Sequence, residues 1–186
     1  MRYTVDPSVF DMSSDIKMGI IIGKNLKNSE TTKEDEKRLR SAEIRMRETI
    51  NANQVRDLPN VSLYRELMTK ADINPNRFPP SVEAMFKRIL KGGQLPLINA
   101  LVDLCNAVSI EQCISLGAHD LKDIHEDLEV RFSREGDVFL PFGAMEYEKV
   151  DAGELTFTSG NVVQTRKWIW RQSELGKTTV DSKDIF

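Results

Sequence analysis

Near residue 120 the hydrophobic pattern of this chain changes from a helical period to a strand period. That switch constrains the fold more than any other feature. Before it, Val82, Met85, Phe86, Ile89 and Leu90 recur at i, i+3, i+4, i+7 and i+8, a spacing that only a helix gathers on one face. Ser81 is the expected N-cap and Gly92-Gly93 the stop. A second helix is expected almost at once, with Ile98, Leu101, Val102 and Cys105 as its buried stripe. So short a link predicts that the two helices pack together. After the switch, residues 129–132 and 138–140 read as short strands about the turn Arg134-Glu135-Gly136-Asp137. Residues 155–158 and 162–170 flank Ser159-Gly160-Asn161, a hairpin signal. Trp168 and Trp170 are expected on one face of that last strand and Ile169 on the other.

The N-terminal part adds one strand and two helices. Residues 18–22 are short, apolar and rich in β-branched side chains, which predicts a buried strand. Thr31 and Thr32 are followed three residues later by Glu34 and Asp35, a capping-box pattern. The charged helix it opens is expected to run to about Ile50, with Leu39, Ala42, Met46 and Ile50 inward. Its Lys/Glu/Arg remainder reads as a solvated face with i,i+4 pairs; RNA contact through Lys37, Arg38, Arg40, Arg45 and Arg47 is the alternative. Ser62 is expected to cap a helix through Ala71 with Tyr64, Leu67 and Met68 inward. One strand, several helices and then a run of strands argue for an α+β fold, helices packed in layers on mixed or antiparallel sheets. A single domain is expected over 1–186, with a strand-plus-helix part at 1–75 and a core at 76–186. The apolar ending Asp184-Ile185-Phe186 predicts a closing strand beyond residue 186.

Composition narrows the function. A net charge of −3 over 186 residues gives no global basic field for nucleic acid, so an RNA partner must meet a local patch or a pocket. Cys105 and Cys113 would stand about 12 Å apart along a continuous helix, beyond disulfide reach. Both read as small buried groups of a reducing compartment; a reactive thiol at Cys105 is the alternative. No apolar signal-peptide core opens the chain, and no stretch nears the ~18 apolar residues of a membrane span. A cytoplasmic protein is expected, with neither membrane nor DNA as partner.

The motifs of common chemistries are absent. Two histidines, His119 and His125, and no cysteine cluster make a zinc site of usual composition unexpected, and no cofactor is expected. There is no phosphate-binding Gly-x-x-x-x-Gly-Lys run, no dinucleotide fingerprint after residues 18–22 and no Gly-x-Ser-x-Gly elbow. What remains are scattered polar and aromatic groups. Asn99, Asp103 and Asn106 recur at i, i+4 and i+7 as a polar stripe. Asp103 reads as a loop anchor. Asn99 and Asn106 read either as cleft-lining groups or as ties to neighbouring backbone. Trp168 and Trp170 either stack on a base or aromatic amino acid or pack the sheet. Arg171 pairs with a phosphate or carboxylate, or is a sheet-edge charge. Thr178 and Thr179 offer hydroxyls that a turn or cap could use.

The stretch from Pro96 to Asp120, with its Ile98-Asn99 step and its Val102-Asp103 and Cys105-Asn106 pairs, resembles the central helix of the editing domain in the beta subunit of bacterial phenylalanyl-tRNA synthetase. The Gly117-Ala118-His119-Asp120 and Trp168-Ile169-Trp170-Arg171 runs resemble freestanding relatives of that domain more closely still. The likeness covers roughly residues 80–186. It implies a tRNA or aminoacyl-tRNA partner and hydrolysis of a mischarged aminoacyl ester by a bound water, a deacylase of translation quality control. On that implication Asn99, Asp103, Cys105, Asn106, Gly117, Trp170, Arg171 and Thr178 bind substrate and His119 carries a proton. It further implies that the polar side of the mid-chain helix and the paired indoles enclose one hollow.

Two departures bear on this. Cys105 stands where the synthetase has a pocket threonine, removing a strong hydroxyl partner. Gly117 stands where it has a histidine, a departure the freestanding relatives share. His119 lies two residues on, ~6–7 Å along a strand, too far to substitute unless the local chain is rearranged. Two other function classes stay open: a non-catalytic module for an RNA end or amino-acid-like ligand, and a docking domain using the charged helix at 32–51.

Overall fold

The computed structural model describes residues 1–186. Strand β1 (Tyr3–Val5) and the short helix α1 (Pro7–Met12) come first, followed by helices α2 (Lys33–Thr49), α3 (Pro59–Lys70), α4 (Ser81–Leu90) and α5 (Ala100–Gln112). Strands β2 (Leu128–Phe132), β3 (Val138–Phe139), β4 (Glu148–Lys149), β5 (Leu155–Ser159), β6 (Val162–Arg166) and β7 (Arg171–Gln172) follow. They form one sheet in the order β1-β2-β5-β6-β3-β4, with β7 also paired to β6. The β1–β2 and β3–β6 pairs are parallel and the others antiparallel. The fold is therefore α+β with a mixed sheet.

Local chemistry explains the helix starts. Thr32 and Asp35 are the pair that forms the capping box: each side chain accepts from the other's backbone N–H. Helix α3 begins ahead of Ser62 because Pro59 fills its first turn, where a missing N–H costs nothing. In α4, Pro80 takes the cap position and Ser81 becomes the first helical residue. Leu39, Ala42 and Met46 of α2 then bury against Val82, Phe86 and Ile89 of α4 and Ala107 and Ile110 of α5. A second core packs Val9, Met68, Ile73 and Ile124 against Leu128, Val130, Leu155 and Phe157 of the sheet. No helix is long and apolar enough to cross a membrane.

Three expectations fail. Residues 18–22 form no strand, and Ile20, Ile21 and Ile22 are 44, 76 and 60% exposed. Strand propensity measures fit to a half-buried pleated surface, and β1 already fills the edge beside β2. Strand β6 stops at Arg166, because Lys167 and Trp168 adopt φ of 50° and 64° and turn the chain out of the pleat. Trp168 and Trp170 therefore do not share a strand face. Helix α5 buries Asp103, Ala107 and Ile110, whereas Ile98 is 48% exposed and Leu101, Val102 and Cys105 are half-buried. The small Ala107 faces the core shared with α2 and α4, which turns the expected stripe aside.

A buried ion pair ties the strand turns together. Arg131 on β2 is 3% exposed and donates to both oxygens of Asp137, at 2.7 and 3.0 Å. It also donates to the carbonyls of Phe132 and Gly160. Removing one partner strands a buried charge, so Arg131→Leu should lower the unfolding free energy by about 3–5 kcal/mol in urea titration. Asp137→Leu added to that variant should recover part of the loss. A single-variant cost below about 1 kcal/mol would contradict the tie.

Candidate functional site

His119 lies on the extended stretch that leaves α5, and that stretch is paired on two sides by the C-terminal segment. His119 N donates to Phe186 O at 2.9 Å and Phe186 N to His119 O at 3.0 Å. Asp120 N donates to Gly176 O at 2.8 Å and Leu121 N to Asp184 O at 2.9 Å. Thr178 Oγ1 donates to Ala118 O at 3.2 Å, and Ser182 Oγ donates to the Asp120 carboxylate. Asn99 brings in the start of α5. Its Oδ1 accepts from Val102 N at 3.0 Å as the N-cap and from Asn28 Nδ2 at 3.1 Å, while its Nδ2 donates to Thr178 O at 3.2 Å. A continuous hydrogen-bond chain thus joins Asn99, Thr178 and the stretch at 117–119.

The His119 ring is 5% exposed and stands edge-on to Phe157 with centroids 5.0 Å apart. It sits between two glycines. A Cβ on Gly176 would lie 3.6 Å from Nδ1 and 2.8 Å from Gln164 Oε1, and the Gly176 φ of +73° already disfavours any side chain. A Cβ on Gly117 would lie 3.8 Å from Nε2 and within 4 Å of nothing else. The imidazole therefore reaches the space beside Gly117, which regular strand spacing would have left ~6–7 Å away. Gln172 Nε2 lies 3.4 Å from Nδ1 and donates to Ala118 O at 2.9 Å. Burial pushes the imidazole pKa down to about 4, so the ring is neutral at pH 7.

The other candidate residues divide between support and surface. Asp103 accepts from Thr31 Oγ1 at 2.5 Å and from Ile98 N at 3.0 Å, fixing the loop ahead of α2 to the start of α5. Cys105 and Asn106 are half-buried on a face of α5 shared with Val102 and Ser109. Burial raises the Cys105 thiol to about 11, which keeps it protonated at neutral pH. Ser109 Oγ and Ser115 Oγ are buried without a partner, so hydrogen-bonding capacity is left over here.

The indoles lean elsewhere. Trp168 stands edge-on to Tyr64 at 5.9 Å, and Tyr64 OH accepts from Ser115 N at 3.3 Å. Trp170 stands edge-on to Phe78 at 4.7 Å, and the exposed Arg171 places its guanidinium 5.9 Å from the Trp170 ring. Trp168 reaches the stretch after α5 through Tyr64, while Trp170 packs with the loop ahead of α4. The expected hollow between paired indoles and helix is replaced by this divergence, which the left-handed turn at Lys167 and Trp168 produces. Two surface depressions occur on the helical side. One, of about 610 Å³, is lined by Lys33, Lys37, Arg38, Arg45 and Glu111. The other, of about 440 Å³, is lined by groups including Met46, Phe86, Ile110 and Cys113. Neither contains Asn99, Asn106, His119 or Trp170.

Gln172 and Ser115 carry no periodic or motif signal, and only the folded contacts single them out. A family model described as the B3/4 domain matches residues 63–186, two thirds of the chain. The match reaches back into α3, beyond the stretch that carries the sequence resemblance. No curated protein matches the sequence.

The buried ring has a stability signature. Its pKa falls from an ordinary 6.5 to about 4 on folding, so between those values the unfolded chain binds the extra proton. Stability is complete above pH 6.5 and is lost as pH falls toward 4, by about 3 kcal/mol across the window. Urea unfolding at pH 4.5 and pH 7 should show this loss in the wild type and a smaller one in His119→Gln. Identical losses in the two proteins would mean that the ring is not buried as described.

Proposed function

The chain belongs to the B3/4 domain family, the domain found in the phenylalanyl-tRNA synthetase beta subunit, and on that premise we propose that it acts as a freestanding editing-type module. In this reading it binds the aminoacylated end of a tRNA and hydrolyses the ester of a mischarged one. The observation that carries it is the hydrogen-bonded convergence of Asn99, Thr178 and Gln172 on the stretch that holds His119; α5, which Asn99 caps, also carries Asn106. The reading takes residues 1–186 as one domain. Two free cysteines fit work in the cytoplasm.

Ester hydrolysis needs a positioned water and donors for the developing oxyanion. With the Cys105 thiol held protonated, water is the nucleophile, and Cys105 serves as an apolar wall. Asn106 supplies an amide to orient the amino acid or terminal ribose. Asn99 and Asp103 support α5, since their side chains are engaged within the chain. Thr178 likewise acts by holding Ala118.

Binding without hydrolysis is the second reading. It is favoured by the neighbour of the His119 Nδ1, which is an amide rather than a carboxylate. Purified protein should deacylate at least one mischarged tRNA, and Asn106→Ala should slow it by about 10–100-fold. Saturable tRNA binding with no deacylation would select the second reading. An unchanged rate in Asn106→Ala would remove the α5 face from the site.

A further inference from the structure

We propose that Gln172 locks His119 in the tautomer that carries its proton on Nε2, so that the ring presents an N–H donor, not a base, on the open side beside Gly117. What that donor meets rests on the reading of this region as a substrate site. The tautomer follows from the hydrogen-bond geometry alone.

A carboxamide has one donating end and one accepting end, and its neighbours decide which end lies where. Gln172 Nε2 lies 2.9 Å from Ala118 O and 3.4 Å from Gly176 O. Two carbonyl oxygens at one end require the NH2 group there, because the amide oxygen would face two like dipoles. The same NH2 group lies 3.4 Å from His119 Nδ1. An amide N–H cannot accept, so Nδ1 must offer its lone pair, and a neutral ring then holds its proton on Nε2. One amide hydrogen serves Ala118 O, and the other is shared between Gly176 O and Nδ1. Gly176 permits this crowding, since a Cβ there would meet Gln164 Oε1 at 2.8 Å. Burial independently keeps the ring unprotonated at pH 7.

The opposite edge of the ring has a different setting. Beside Nε2 stands Gly117, exposed and without a Cβ to cover it. The ring itself packs on Phe157, with Ile124 at the Gly176 side. A neutral N–H held at an edge that Gly117 leaves uncovered suits a carbonyl oxygen or the oxyanion that forms from it. It does not suit a cationic group. The ligand class is therefore an acyl compound offering its carbonyl oxygen, and Gln172 is a positioning residue that acts through His119.

The test uses the full chain labelled with 15N and long-range 1H–15N correlation spectra at pH 7. His125, which is exposed, gives the reference for an unrestrained ring. His119 should show a protonated Nε2 and a lone-pair Nδ1. Gln172→Met, close in size but with no donor, should relax His119 toward the mixture shown by His125. A proton found on Nδ1 in the wild type overturns the proposal, and so does an unrelaxed tautomer in Gln172→Met. In deacylation, His119→Gln keeps a donor but cannot carry a proton. It should stay within about tenfold of the wild type while His119→Phe falls by about 100-fold. Equal losses would assign proton transfer to the ring and overturn the donor role. A wild type with Nε2–H but no deacylation would remove the hydrolytic reading and leave the tautomer lock standing.

Discussion

The pairing of residues 118–121 between two runs of the C-terminal segment is the interaction on which the candidate site depends. The backbone amides of His119, Asp120 and Leu121 find carbonyls at Phe186, Gly176 and Asp184. Left unmade, each such bond would strand a donor at about 1–3 kcal/mol where it is buried. Thr178 extends the clasp in both directions, donating to Ala118 O and accepting from Asn99. The start of α5, the stretch at 118–121 and the C-terminal segment are thereby held in one fixed relation. The His119 ring inherits that fixity, edge-on to Phe157 and with a glycine at each nitrogen.

This arrangement divides the polar residues of the mid-chain helix into two groups. Asn99 and Asp103 are buried and use their side chains to cap α5 and to anchor loops from residues 28 and 31. They determine where the helix begins and how it is rolled. That roll leaves Val102, Cys105 and Asn106 half-buried on one face, in line with the buried Ser109. Satisfied groups hold a geometry, and unsatisfied ones leave hydrogen-bonding capacity unused. Ser109 and Ser115, buried with no partner for their hydroxyls, belong to the second kind.

The parts of the fold that were legible in the sequence are those whose determinants lie close together. The stripe from Val82 to Leu90 spans more than two turns with five large apolar residues. The Thr32–Asp35 box and the Gly160-Asn161 turn are complete within four residues. Illegible features depend on distant partners. Residues 18–22 have strand composition, but composition does not show that β1 fills the edge beside β2. The end of β6 turns on a left-handed Trp168, a conformation the residue does not advertise. At the site, the polar stripe could be read, but not which of its members would be satisfied. The partners of Asn99 outside its own helix are 71 and 79 residues away. Those of Gln172 at Ala118 and His119 are 54 and 53 residues away.

Side-chain pairing also governs how an acidic chain meets a polyanion. The basic residues of α2 read in the sequence as a solvated face with pairs along the helix, yet most are engaged with other segments. Arg38 and Arg45 both donate to Glu111, at 3.0 and 3.1 Å. Arg40 holds Glu43 and Leu95 O, and Arg47 holds the carbonyls of Ile89 and Gly93. These contacts make α2 a structural clamp on α4 and α5 and leave little unpaired positive charge on its face. Tight binding to RNA through phosphate neutralisation draws on many free cations, which a helix so committed does not provide. Recognition by a few directed donors in a confined site needs no such field. On the proposed reading, the fixed His119 ring beside the exposed Gly117 supplies a directed donor of that second kind.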